Sequence, residues 1–105
     1  MANFVNPPLQ AFAGSTNRLV LTIKDYDGAT KLDPTSITLT TTNNIGQKIG
    51  TDIIVPLQTA KKSVGVYVYD YKIPDNATRE ITITVTALYN ADKIIQIQKF
   101  IIIRR

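Results

Sequence analysis

Residues 81–87 read ITITVTA: Ile81, Ile83, Val85 and Ala87 alternate with Thr82, Thr84 and Thr86. Successive side chains of a strand point to opposite faces, so this stretch predicts a half-buried strand, apolar inside and threonine-lined outside. The same period of two runs outward from it. Leu19, Leu21 and Ile23 share one face of RLVLTIKDY (18–26), and Ile37, Leu39 and Thr41 share one face of SITLTTT (36–42). The chain holds fifteen isoleucines and fourteen threonines, β-branched residues that pack well on a pleated surface.

Turn signals separate these runs: Asp27-Gly28, Asn43-Asn44 with Gly46, Asp75-Asn76, and Asn90-Ala91-Asp92. No stretch of ten residues carries a 3.6-residue period, and LQTAKKSV (57–64) has room for one helical turn at most. Strands are predicted at 9–13, 18–26, 36–42, 47–55, 64–73, 80–89 and 94–103. About seven short strands spaced by turns predict an all-β fold, a single immunoglobulin-like β-sandwich. A small barrel such as an OB-fold is the alternative. Residues 1–8, with Pro7-Pro8, read as an N-terminal extended arm ahead of a sandwich domain spanning 9–105.

At 105 residues the chain has room for one core. Cysteine and histidine are both absent and Glu80 is the single glutamate, so thiolate sites and the commonest general base are excluded. No serine sits in a nucleophile-elbow setting. The expectation is a non-enzymatic protein with no catalytic residues, no cofactor, no metal and no small-molecule substrate. Net charge is +4, with the basic residues dispersed. The first seventeen residues are uncharged and lack a secretory pattern, and the longest apolar run, Phe100 to Ile103, is too short to span a bilayer. A soluble protein made in the cytosol, without membrane contact, is expected.

SVGVYVYDYKIP (63–74) places Tyr67, Tyr69 and Tyr71 on one strand face, and Val66, Val68, Asp70 and Lys72 on the other. Burying the second set would strand Asp70 and Lys72, whereas phenols reach the rim of a core cheaply. The tyrosines, Tyr67 and Tyr69 at least, are therefore assigned to the core rather than to a stacking platform.

DYDG (25–28), with Asp33 nearby, lacks the middle ligand and far glutamate of a calcium loop and reads as a turn. Lys61-Lys62 ahead of the tyrosines loosely mimics an RNA-binding strand, but the helices of that module are missing. Asn76-Ala77-Thr78 reads as a turn. Two stretches read as contact surfaces: Phe4, Val5, Leu9 and Phe12 near the amino terminus, and Phe100 and Ile102 in KIIQIQKFIIIRR (93–105). There Ile95, Ile97, Ile101 and Ile103 form one face and Phe100 and Ile102 the other. An apolar residue on both faces calls for a bulge near Gln98-Lys99 or a partner over the outer face.

RLVLTIKDYDG (18–28), LDPTSITLT (32–40), and SVGVY (63–67) followed by a strand ending Ile73-Pro74 resemble a pattern in small immunoglobulin-like structural proteins of tailed bacteriophages. The resemblance covers Arg18 to Pro74; strand 80–89 lacks the tryptophan such proteins often carry. It implies a virion component, assembled in the host cytoplasm. The first reading is an auxiliary (decoration) protein docking non-covalently on the major capsid protein and neighbouring virion subunits to stabilise the shell. Alternatives are a neck or tail location, or a module binding glycan or nucleic acid.

Overall fold

The computed structural model describes residues 2–5, 8–25, 29–75, 77 and 79–103, with 2–5 described by their backbone. In chain order the elements are β1 (Ala2–Val5), β2 (Leu9–Phe12), β3 (Thr16–Thr22), β4 (Ser36–Asn43) and β5 (Ile53–Ile54). A single helical turn, α1 (Leu57–Ala60), leads to β6 (Lys61–Ser63), β7 (Val66–Lys72), β8 (Glu80–Tyr89) and β9 (Asp92–Ile103). One sheet runs β1-β9-β8-β4-β5, with β2 also on β9; the other runs β3-β7-β6. The fold is all-β with two sheets.

The 81–87 stretch behaves as its pattern predicts. Ile81, Ile83, Val85 and Ala87 are buried, and the intervening threonines lie half-exposed on the outer face. Ile37, Leu39 and Thr41 join them from β4, while Leu19, Leu21 and Ile23 close the core from the other side. Tyr67 and Tyr71 are buried and Tyr69 packs half-buried against the same core, on the side expected.

The strand expected at 47–55 shrinks to Ile53–Ile54 plus one bridge between Thr42 and Lys48. Gly50 at φ 69° turns the chain away from β4 between those two contacts. The strand expected at 64–73 starts later, because Val64 and Gly65 form the turn that joins β6 to β7. Ala2–Val5, expected in an extended arm, pairs in parallel with Ile94–Ile97 of the chain's own β9.

β8 and β9 pair without a shift from Tyr89↔Asp92 to Glu80↔Ile101, so β9 has no bulge at Gln98-Lys99. Ile81 therefore faces Phe100, and Ala87 faces Ile94. Phe100 and Ile102, expected on a contact surface, are 1% and 7% exposed and belong to the core. The extra residue lies instead on the amino-terminal side. Three residues separate Val5 from Leu9, whereas two separate their partners Ile97 and Phe100.

Among the described residues Thr41 and Gln96 are the two buried polar ones, and each bonds across to the opposite sheet. Thr41 Oγ1 and Tyr71 Oη lie 2.5 Å apart. Gln96 Nε2 donates to the carbonyl of Thr22. Each buried polar group is thereby satisfied, and each bond fixes the alignment of one sheet on the other.

The β8–β9 turn places Asn90 and Ala91 at φ 48° and 67°, the geometry of a two-residue hairpin turn of type I′. An alanine there is strained, so Ala91→Gly is expected to stabilise the fold by about 1 kcal/mol in urea denaturation. Phe100→Ala should cost about 3–5 kcal/mol, whereas Ile101→Thr on the outer face should cost less than about 1 kcal/mol.

Candidate functional site

The segment between β3 and β4 returns along the end of β3. Leu32 N donates to Ile23 O, and Lys24 bridges Lys31. Tyr26, Asp27 and Gly28 of the DYDG stretch lie outside the described residues, as do Asn76 and Thr78. Asp25 N bonds Thr30 O across the excursion.

This path delivers Asp33 to the β6–β7 turn. Its Oδ1 accepts from Gly65 N at 2.8 Å and from Tyr67 Oη at 3.2 Å. Its Oδ2 accepts from Lys61 Nζ at 2.8 Å. Pro34 is then buried, and Thr35 donates from both its amide and its hydroxyl to Leu88 O. The D-P-T and S-x-G-x-Y stretches, thirty residues apart in sequence, thus converge on one carboxylate. Gly65 sits at φ 70°, and a Cβ there would lie 2.7 Å from Lys31 Cβ and 3.0 Å from Ile23 O. Only glycine admits both the turn and the close approach.

The Lys61 ammonium first, then the Gly65 amide and the Tyr67 hydroxyl, hold the Asp33 carboxyl below the ordinary carboxylate range. Burial, and then donation to Asp33, push the Tyr67 hydroxyl up. A charged carboxylate engaged by three donors acts as a structural tie, and a proton acceptor at this point would have to break it. Among the described residues, no three acidic side chains converge.

The second feature is the outer face of the larger sheet. Thr38, Thr86 and Ile95 lie in one row across β4, β8 and β9, with Thr40, Thr84 and Ile97 in the next. Ile101, 43% exposed, continues the face beyond Lys99, which pairs with Glu80 at 3.7 Å. Lys93, Lys99 and Glu80 stand toward its ends on β8 and β9, and on the β4 side Asp52 accepts from the Thr40 hydroxyl at 3.1 Å and pairs with Lys48 at 3.0 Å.

Of the residues expected to make contacts, Leu9 and Phe12 are exposed. In the parallel register Phe12 lies beside Ile103 on the outer face, and Leu9 beside Phe100 on the inner one. The side chains of Phe4 and Val5 lie outside the described residues. Phe100 and Ile102 are core, so the surface of the last strand is formed by the face of Ile95, Ile97, Ile101 and Ile103. The two-residue turn at Asn90-Ala91 carried that information, because it fixes which residues of β9 face Ile81 and Ile83.

Comparisons of the chain with protein-family models, with curated proteins and with solved structures find no match.

Asp33 is a group whose folded pKa is depressed, so its contribution to stability is present above about pH 4 and is lost as pH falls through the lowered folded value. The stability difference between the native chain and Asp33→Asn, measured by thermal unfolding, should be present at neutral pH and vanish near about pH 2. Gly65→Ala should destabilise by about 2 kcal/mol or more at any pH.

Proposed function

We propose that the chain is a non-enzymatic virion structural protein with an immunoglobulin-like fold, an auxiliary protein docking on the major capsid protein through the outer face of its larger sheet. The strand order supports the fold. β3-β7-β6 corresponds to strands B, E and D of such a sandwich, and β9-β8-β4-β5 to G, F, C and C′. The observation that carries the reading is the Asp33 cluster. Two of the stretches that carry the phage-protein resemblance, LDPTSITLT and SVGVY, meet in one hydrogen-bonded unit of Asp33, Gly65 and Tyr67. They are therefore a single structural device rather than two separate coincidences of sequence.

The outer face supports docking. Threonine methyls and isoleucines offer a broad, half-exposed surface, and the charged side chains around it give it orientation. Many copies binding assembled shell in preference to free subunits stabilise the shell by mass action. With Tyr67 and Tyr71 buried, a platform of stacking rings for glycan or nucleic acid finds no support on β7.

Gradient sedimentation of purified virions should recover the protein at near-equal copy number with the major capsid protein. A few copies per particle would place it at the neck or tail, and complete absence would overturn the virion reading. Ile97→Asp and Ile101→Asp should each lower occupancy at least tenfold while the chain stays folded.

A further inference from the structure

Among the described residues the two sheets keep four open edges, and three of them are blunted. β5 is two residues long. β6 is three residues long, carries Lys61 and Lys62, and loses register at its pairing with β7. The β1–β2 edge is interrupted between Val5 and Leu9, where Pro8 lies. Short strands, lysines, proline and irregular pairing are the usual means of stopping an edge from recruiting another strand. β3 uses few of them: it runs for seven residues in unbroken register with β7, carries one charged residue, and exposes Val20 by 60%.

The direction of its backbone groups follows from the ladder. Ile73 N donates to Ser15 O at one end and Ile23 N to Gly65 O at the other. Odd-numbered residues of β3 therefore turn their amides to β7, and Thr16, Arg18, Val20 and Thr22 turn theirs to the open side. The Thr22 carbonyl is taken by Gln96. Thr16, Arg18 and Val20 keep their outward groups open, and those of Arg18 and Val20, beside the groove, lie about 6.8 Å apart along the edge.

Beside that edge lies a groove of about 380 Å³ between the two sheets. Leu9, Leu19, Leu21 and Val85 make its apolar lining, and Arg18 and Gln98 its polar part. We infer that the β3 edge and this groove accept one extended peptide segment of the docking partner, apolar at alternate positions and acidic opposite Arg18, added as a fourth strand of the smaller sheet.

The occupant follows from what each candidate can use of the edge and the groove together. A small apolar ligand fills the groove and leaves the Arg18 and Val20 amides without a protein partner. A second copy pairing through its own β3 satisfies the amides but brings no side chains for the groove, because its Leu19 and Leu21 already point into its own core. A single strand does both, through backbone pairing on one side and alternate side chains on the other. Charge points the same way: Arg18 is held only by an exposed pair to Asp70 at 3.2 Å, which an incoming carboxylate can replace. The inference deepens the docking reading and rests on it.

The probe is a capped heptapeptide, Glu-Val-Thr-Val-Thr-Val-Glu, with a control N-methylated at all seven residues, which cannot donate to β3 in either strand direction. Amide hydrogen exchange of the full chain, followed by NMR, should slow at least tenfold at Arg18 and Val20 with the probe and not with the control. Val20→Pro removes an outward amide and leaves the β3–β7 bonds in place, as proline on an edge strand permits; it should abolish probe binding. No protection at millimolar probe overturns the inference, as does equal protection by the N-methylated control. Protection that rises with protein concentration alone assigns the edge to a second copy and also overturns it. On particles, unchanged occupancy of Val20→Pro with loss for Ile101→Asp leaves docking standing and removes strand addition. Unchanged occupancy for both removes the two together.

Discussion

The register of the β8–β9 hairpin decides which side chains of this protein are core and which are surface. A two-residue turn at Asn90-Ala91 joins Tyr89 to Asp92, and every later pair follows from it without a slip. A shift by one residue would exchange the faces of β9, exposing Phe100 and burying Lys99. Neither is tolerable: Phe100 is among the largest fully buried side chains, and Lys99 would lose water without gaining a partner inside. The same register carries the amino terminus, because β1 and β2 both pair with the free edge of β9. The larger sheet is built outward from one turn.

The smaller sheet is aligned on it by few but specific bonds. In a core of isoleucine, leucine and valine, many lateral shifts cost little, since apolar contacts are non-directional. Thr41 to Tyr71 and Gln96 to Thr22 remove that freedom, because a buried polar atom that loses its partner is expensive. Asp33 does the same at one end of the sandwich. It ties the crossing between β3 and β4 to the β6–β7 turn, so three separate segments keep one geometry.

Much of this was legible in the alternation of side chains. ITITVTA declared its inner face, and the cost of burying Asp70 and Lys72 turned the tyrosines of β7 inward. The last strand was not legible in that way, because both faces are apolar and the isoleucine face outnumbers the other. Gln96 and Gln98 made the true inner face look external, yet Gln96 is buried and bonded to a backbone carbonyl. Its partner is on β3, seventy-four residues away, which no local pattern reveals. β1 was hidden for a related reason: its pairing is with β9, at the far end of the chain. The Asp33 cluster was legible as two motifs but not as one object, since the contact between them is purely tertiary.

The two surfaces proposed for binding belong to different sheets, and β2 joins them. Its parallel register on β9 sends Gln10 and Phe12 outward beside Ile101 and Ile103, and Leu9 inward beside Phe100 to the mouth of the groove. A partner seated on the outer face of β9 therefore needs to pass only the width of β2 to reach the β3 edge. In a flat docking contact the half-exposed threonines supply area with modest affinity, because each methyl removes little apolar surface from water. A strand added at β3 supplies what that face lacks: directional backbone bonds and side-chain pockets, which set register and orientation. The division has a structural logic. The broad face supplies area, whereas the edge that asks for fixed geometry lies where β7 already holds the backbone of β3 in register.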